Sequence, residues 1–227
     1  MIGMNGKIGN KEMSQMNGRN AIGKAAVAVF GTSRSGKDYT IDGALEILGE
    51  GTHVSPMGMI HERLGERRLS GMSEGEKKEL CEGVWDDIAR MCREGAVVDC
   101  HWCFPQTYGG KVLKDGYNDE KLPRREVRDA ESGNVYEVVF DPARIALFDR
   151  VVYLCTDPEI IVSRFRTSEG CKRNEDATVE DVEAWEDFEI RCLQRLCDMA
   201  GVPFSMACAL PEDTPGMLAA EVAMAVV

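Results

Sequence analysis

The sequence predicts an α/β fold: a parallel sheet flanked by helices. Two observations carry this. Short apolar runs alternate with helix-period stretches along most of the chain, which makes successive strands run the same way with helical crossovers between them. The first apolar run, Ala25 to Phe30, also leads through Gly31-Thr-Ser-Arg-Ser-Gly36-Lys37-Asp38 into the helical spacing of Ile41, Ala44, Leu45 and Leu48. That is strand, glycine-rich loop, helix.

Residues 1–24 are rich in Gly, Asn, Met and Ser without an apolar period, so they read as a flexible tail ahead of one domain over 25–227. After the first helix, Gly49 and Gly51 supply a stop and His53 to Pro56 a weak strand. Gly58 to Leu64 reads as a brief helix carrying Arg63, followed by Arg67 and Arg68. Ser73 with Glu76 three residues on makes a capping box, and Leu80, Val84, Ile88 and Met91 continue at helical spacing to Gly95. A buried strand, Ala96 to Asp99, follows.

The stretch of about 104–149 reads as an insertion. Val127 to Ala130 and Asn134 to Phe140, joined through Glu131-Ser132-Gly133, suggest a β-hairpin that either covers a substrate or decorates the surface. Arg150 to Cys155 is a strand, and Asp157-Pro158 caps the next helix, which carries Arg164 and Arg166. A polar loop at 168–177 precedes a long helix from Thr178 with the apolar stripe Trp185, Phe188, Cys192, Leu196 and Met199. Two helices joined by a basic loop read as a lid over about 163–185. Pro203 to Ala209 is the last strand, and Thr214-Pro215 opens the final helix.

The glycine-rich loop matches the phosphate-binding pattern G-x-x-x-x-G-K-[ST] at every fixed position but the last, where Asp38 replaces the hydroxyl residue. Glycines let the backbone wrap a polyphosphate, successive N–H groups and the helix N-terminus face the anion, and Lys37 adds a mobile positive charge. The expected nucleotide site is Gly31, Ser33, Arg34, Ser35, Gly36, Lys37, Asp38 and Tyr39. A carboxylate among phosphates is repulsive unless a cation intervenes, so Asp38 is expected to bind Mg2+ directly or through water. Asp99, at a strand end beside the loop, is the second expected metal residue; its other reading is a simple turn former.

Composition limits the rest. Hydrophobic residues make up 44% and charged residues 29% of the 227, ordinary for a globular protein, and no apolar run spans a bilayer. A net charge of −12 argues against a nucleic-acid partner, which requires a basic face. Nine cysteines without a secretory segment read as reduced thiols in the cytoplasm. Cys100-His101-Trp102-Cys103 has no matching second pair for a zinc site. Nothing in the sequence speaks to oligomeric state.

With these motifs in place, the chain resembles the P-loop nucleoside monophosphate kinases, the archaeal-type adenylate kinases in particular. The residues that carry the resemblance are the phosphate loop, Gly58 to Arg63, Ala96-Val-Val-Asp99-Cys100-His101 and the run from Asp157 to Arg191. The Ser35-Gly36-Lys37-Asp38 variant is similar to that of phage deoxynucleoside monophosphate kinases and animal phosphomevalonate kinases. The resemblance implies the P-loop NTPase fold with a five-stranded sheet, ATP on the loop with Mg2+, and a phosphorylated acceptor under the helices near Gly58 and Arg63. Arg164, Arg173 and Arg191 would close over the phosphates and, with Lys37, carry catalysis. The family's Arg-x-Arg-Asp stands here as Cys171-Lys172-Arg173-Asn174, one guanidinium short. Arg68, His101 and Gln106 complete the expected acceptor site, with His101 also readable as a packed histidine and Gln106 as a turn residue. A nucleotide or phosphorylated metabolite is the expected partner; a nucleotide-binding regulatory module with little turnover is the other reading.

Overall fold

The strand β1 (Val27–Phe30) lies at the centre of a five-stranded parallel sheet in this computed structural model, which describes residues 25–113, 125–167, 174–208 and 215–227. On one side β1 pairs with β3 (Ala96–Asp99), which pairs with β2 (Thr52–Val54); on the other it pairs with β9 (Arg150–Cys155), which pairs with β10 (Phe204–Cys208). Val29 stands opposite both Asp99 and Val152. The inner strands β1, β3 and β9 are near-continuous apolar runs because both faces are covered. Val27, Val29, Val97, Val152 and Leu154 pack on α1 (Lys37–Leu48) and α6 (Pro215–Val226). Ala28, Phe30, Val98 and Tyr153 belong to the larger core with α2 (Pro56–Leu64), α3 (Glu74–Cys92), α4 (Pro158–Thr167) and α5 (Val179–Ala200).

Local chemistry sets the helix ends. The Ser73–Glu76 capping box forms, and Thr178 makes a second one with Asp181. Asp157 accepts from the Glu159 N–H at 2.8 Å at the head of α4. Helix α2 starts two residues before the expected Gly58, because Ser55 caps it and Pro56 suits its first turn. Gly49 ends α1 at φ 71°, a conformation open to glycine at little strain.

The insertion is built into the body. Strands β4 (Cys103–Pro105), β7 (Arg125–Arg128) and β8 (Val135–Val138) form an antiparallel sheet in the order β4-β8-β7, beside a two-stranded ribbon of β5 (Thr107–Tyr108) and β6 (Lys111–Val112). The β7–β8 hairpin turns where Asp129 accepts from Ser132 N and Oγ at 3.0 and 2.7 Å. Tyr136 stacks on Phe188 of α5 with ring centroids 4.3 Å apart, and Phe140 meets Phe30 of β1 edge-on at 5.1 Å. A 3₁₀ turn over Pro142–Leu147, which no sequence signal marked, leads back to the sheet.

Within the expected lid span of about 163–185, Ala177, Val182 and Trp185 are fully buried in the main core. The loop at 168–173, including Arg173, lies outside the described residues, as does the tail at 1–24. Among the described residues no helix is long and apolar enough to cross a membrane.

Candidate active site

The two neighbours of β1 are reached by crossovers in opposite directions, so a crevice opens beyond its carboxyl end, where open α/β sheets bind ligands. The loop from Gly31 to Lys37 fills that position. Gly31 is obligatory there: a Cβ on it would lie 2.8 Å from the Leu154 carbonyl oxygen and 2.9 Å from Ser35 Oγ. The turn passes through Arg34 at φ 68° and Gly36 at φ 95°; the first is a strained setting for a side-chain-bearing residue.

The loop's carbonyls are held by the protein. Lys37 Nζ donates to Gly31 O at 2.9 Å and Thr32 O at 3.2 Å. Thr156 Oγ1, just past β9, donates to Ser35 O at 2.7 Å, and Arg164 of α4 donates to Arg34 O at 2.7 Å. No side chain caps α1. With its carbonyls tied back and its first turn uncapped, this helix start suits an anion.

Lys37 is buried, and loss of water lowers its pKa while Asp99, Glu189 and Asp38 oppose that fall. Asp99 Oδ1 lies 3.8 Å from Lys37 Nζ and is buried without a hydrogen-bond partner. Burial pushes the Asp99 carboxyl up to about 6 despite Lys37, and the neighbouring Asp38 carboxylate pushes the same way. Two carboxylates crowded together, with the unpartnered hydroxyls of Thr32 and Ser35 close by in the loop, form a hard oxygen set that fits Mg2+ shared with a polyphosphate. Among the described residues no three His, Cys, Asp or Glu side chains gather to hold a metal unaided.

Two contributors escaped the sequence reading. His53 of β2 stands between two α1 carboxylates, with Nδ1 2.8 Å from Asp42 and Nε2 3.8 Å from Asp38. Glu189 of α5 is fully buried, accepting from Tyr153 Oη at 2.8 Å and from the Cys103 N–H at 3.2 Å. Burial raises its pKa. Both assignments needed tertiary contacts; a charged residue within the apolar stripe of α5 was the one available hint for Glu189.

A cavity of about 530 Å³ runs from Asp99 and His101 toward the insertion. Its walls include Met57, Ile60, Trp85, Phe104 and Phe140, while Lys78, Arg125 and Arg144 bring positive charge and Glu82 and Asp141 negative charge. Arg144 lies over the Trp85 ring, 4.6 Å from its centroid. His101 lines the cavity; burial holds its pKa well below the usual range, so it is a neutral imidazole, with Nδ1 unpartnered. The insertion therefore supplies part of the cavity wall.

Other expected acceptor residues sit elsewhere. Arg63 pairs with Asp87 across α3, where Gly83 leaves room for the guanidinium: a Cβ there would be 2.6 Å from it. Gly58 donates to Ser55 Oγ within the first turn of α2, Arg68 leads into a 3₁₀ turn, and Gln106 donates to Glu137 at 2.8 Å; none of the three lines the cavity. Arg191, expected over the phosphates, ion-pairs with Asp129 and Glu131 of the hairpin, at 3.0 Å each. Those two carboxylates engage its guanidinium at the hairpin. Tyr39 is exposed on α1. Cys100 and Cys103 are buried with their thiols pushed up, which makes them packing residues.

No protein-family model and no curated protein matches the chain. Among solved structures it is similar to a shikimate kinase from Bacteroides thetaiotaomicron at 13% identity and TM-score 0.47, over 89% of this chain and 98% of that one. It is also similar to a shikimate kinase from Acinetobacter baumannii solved with shikimate, at 14% identity and TM-score 0.44, over 89% and 90%. A dephospho-CoA kinase from Campylobacter jejuni aligns at 12% identity and TM-score 0.34, over 88% and 95%. The parallel sheet with β1 at its switch point, the loop that follows β1 and the helix that the loop opens make this an α/β protein of the P-loop NTPase fold.

Proposed function

We propose that the chain is an ATP-dependent phosphotransferase that moves a phosphoryl group to a phosphate-bearing acceptor in the cavity beside Asp99, with a nucleoside monophosphate the favoured acceptor. One observation carries this reading: the phosphate loop and the cavity meet at Asp99, which is 3.8 Å from Lys37 and also lines the cavity. A module that only binds or hydrolyses ATP needs no second, aromatic-walled cavity there. Trp85, Phe104 and Phe140 suit a planar base, and Lys78, Arg125 and Arg144 suit an anion.

Phosphoryl transfer asks for positioning and neutralisation more than covalent chemistry. Lys37 and the uncapped first turn of α1 hold the donor's phosphates. Arg164 fixes the loop through Arg34 and, a guanidinium having five donors, keeps others for the phosphates. Asp38 and Asp99 would hold Mg2+, which when bound neutralises charge on the transferring group. A phosphate acceptor is largely ionised at neutral pH, its second pKa being about 6, so it needs no general base. With Arg191 engaged by the hairpin, Lys37, Arg164 and Arg173 are the cations assigned to the transfer itself.

A second reading, a phosphorylated non-nucleotide metabolite as acceptor, is favoured by the guanidinium of Arg144 lying on the Trp85 face that a base would use. The deciding experiment is Mg2+-dependent phosphate transfer from ATP across AMP, GMP, CMP, UMP, dTMP and phosphomevalonate, with Lys37→Ala as the blank. Turnover with one nucleotide supports the first reading, and turnover with phosphomevalonate alone supports the second. ATP binding without turnover on any of these acceptors overturns the first reading and points to a different metabolite acceptor or to a nucleotide-binding regulatory module.

A further inference from the structure

We propose that Cys155 and Cys208 form an oxidation-sensitive dithiol site on the rim of the phosphate loop. The two residues are direct partners at the last rung of the parallel β9–β10 pair, so their side chains leave the sheet on one face. Neighbouring strands lie about 4.7–4.9 Å apart, inside the Cα separation of roughly 4.4–6.8 Å that a disulfide spans. Both thiols are free. Cys208 is exposed on an edge strand, whereas Cys155 is half-buried with its thiol pushed up by burial and by Cys208. Cys208 is therefore the attacking sulfur. Cys92, Cys100, Cys103 and Cys197 are buried away from reagents.

With an organic disulfide as oxidant, the Cys208 thiolate displaces one small thiol and forms a mixed disulfide. Cys155 then attacks the Cys208 sulfur, loses its proton and expels the second small thiol. Two protein thiols are oxidised and one organic disulfide is reduced to two thiols. The bond fixes the two sulfurs at about 2.05 Å and locks the ends of β9 and β10 together. The next residue, Thr156, holds Ser35 O at 2.7 Å, so the constraint reaches the loop. This inference does not rest on the proposed phosphotransferase activity.

The test treats the reduced full chain with oxidised glutathione, digests it without reductant and maps the peptides by mass spectrometry. Hydrogen–deuterium exchange is read over Thr32 to Asp38 in the reduced and oxidised forms. The expected result is one linked peptide pair joining Cys155 to Cys208 and at least threefold slower loop exchange, both reversed by dithiothreitol. Cys208→Ser should lose both effects, and Cys155→Ser should retain a glutathione on Cys208. A parent chain that ends with glutathione on Cys208 and no linked pair overturns the proposal, as does a linked pair with unchanged loop exchange. No ATP is added, so the outcome is separate from the fate of the kinase reading.

Discussion

Arg164 donates to the carbonyl of Arg34 at 2.7 Å across 130 residues of sequence, tying α4 to the one loop residue with a side chain and a positive φ. This bond offsets part of the strain at Arg34 and sets the shape of the loop before any ligand arrives. Arg164→Met should weaken MgATP binding about tenfold, which corresponds to roughly 1.4 kcal/mol. That is the low end for a hydrogen bond from a charged donor and suits a partly exposed one. Arg164→Lys should recover only part of the loss, because an ammonium lacks the planar fork. Calorimetric titration with MgATP checks both.

The Asp38–Asp99 pair should make nucleotide binding cation-dependent. Asp99→Asn removes the carboxyl that burial and Asp38 both push up, so ATP should bind as well or better without Mg2+ while Mg2+-dependent transfer falls about 100-fold. Asp38→Thr restores the usual hydroxyl and should shrink the difference in ATP affinity with and without Mg2+. Titrations in Mg2+ and in chelator read the effect. An unchanged ratio in Asp38→Thr would remove Asp38 from the metal site.

Arg144 and Trp85 should govern the acceptor and leave the donor alone. Arg144→Ala frees the Trp85 face but removes a positive charge from the cavity. The expected result is an acceptor KM at least tenfold higher with the ATP KM within twofold of the parent. Trp85→Phe should raise the KM of a nucleotide acceptor and barely affect a non-aromatic one. Initial-rate kinetics in both substrates separate these effects.

Glu186 supplies a pH-dependent stability difference. Burial raises its carboxyl to about 7, above the ordinary 4.5. A raised carboxyl favours the protonated folded state: its stabilisation is complete below about 4.5 and is lost as pH rises through about 7. Glu186→Gln keeps the uncharged form at every pH, so it should melt several degrees above the parent at pH 8 and close to it at pH 5. Thermal melts at the two values check the sign.

The local features of this chain were legible in its sequence. The loop, the Ser73 capping box and the strands ending at Asp99 and Cys155 depend on neighbouring residues, and the structure keeps them where the spacing put them. What was hidden depends on partners far along the chain. Arg63 turns to Asp87 because Gly83 leaves space, and Arg191 turns to the carboxylates of a hairpin whose packing no local pattern predicts. The basic residues of the cavity come from α3, β7 and the 3₁₀ turn, three segments that share no motif.

Phe140 touches Phe30 of the central strand, Trp85 of the cavity wall and Trp102 at the same time. The insertion is therefore no detachable accessory. A graft that replaced it to alter substrate choice would also take an aromatic ring from the main core. In a lineage descending from this protein, changes in acceptor and changes in foldedness would be inherited together, so new specificity would be reached through compensating core substitutions rather than by exchanging a loop.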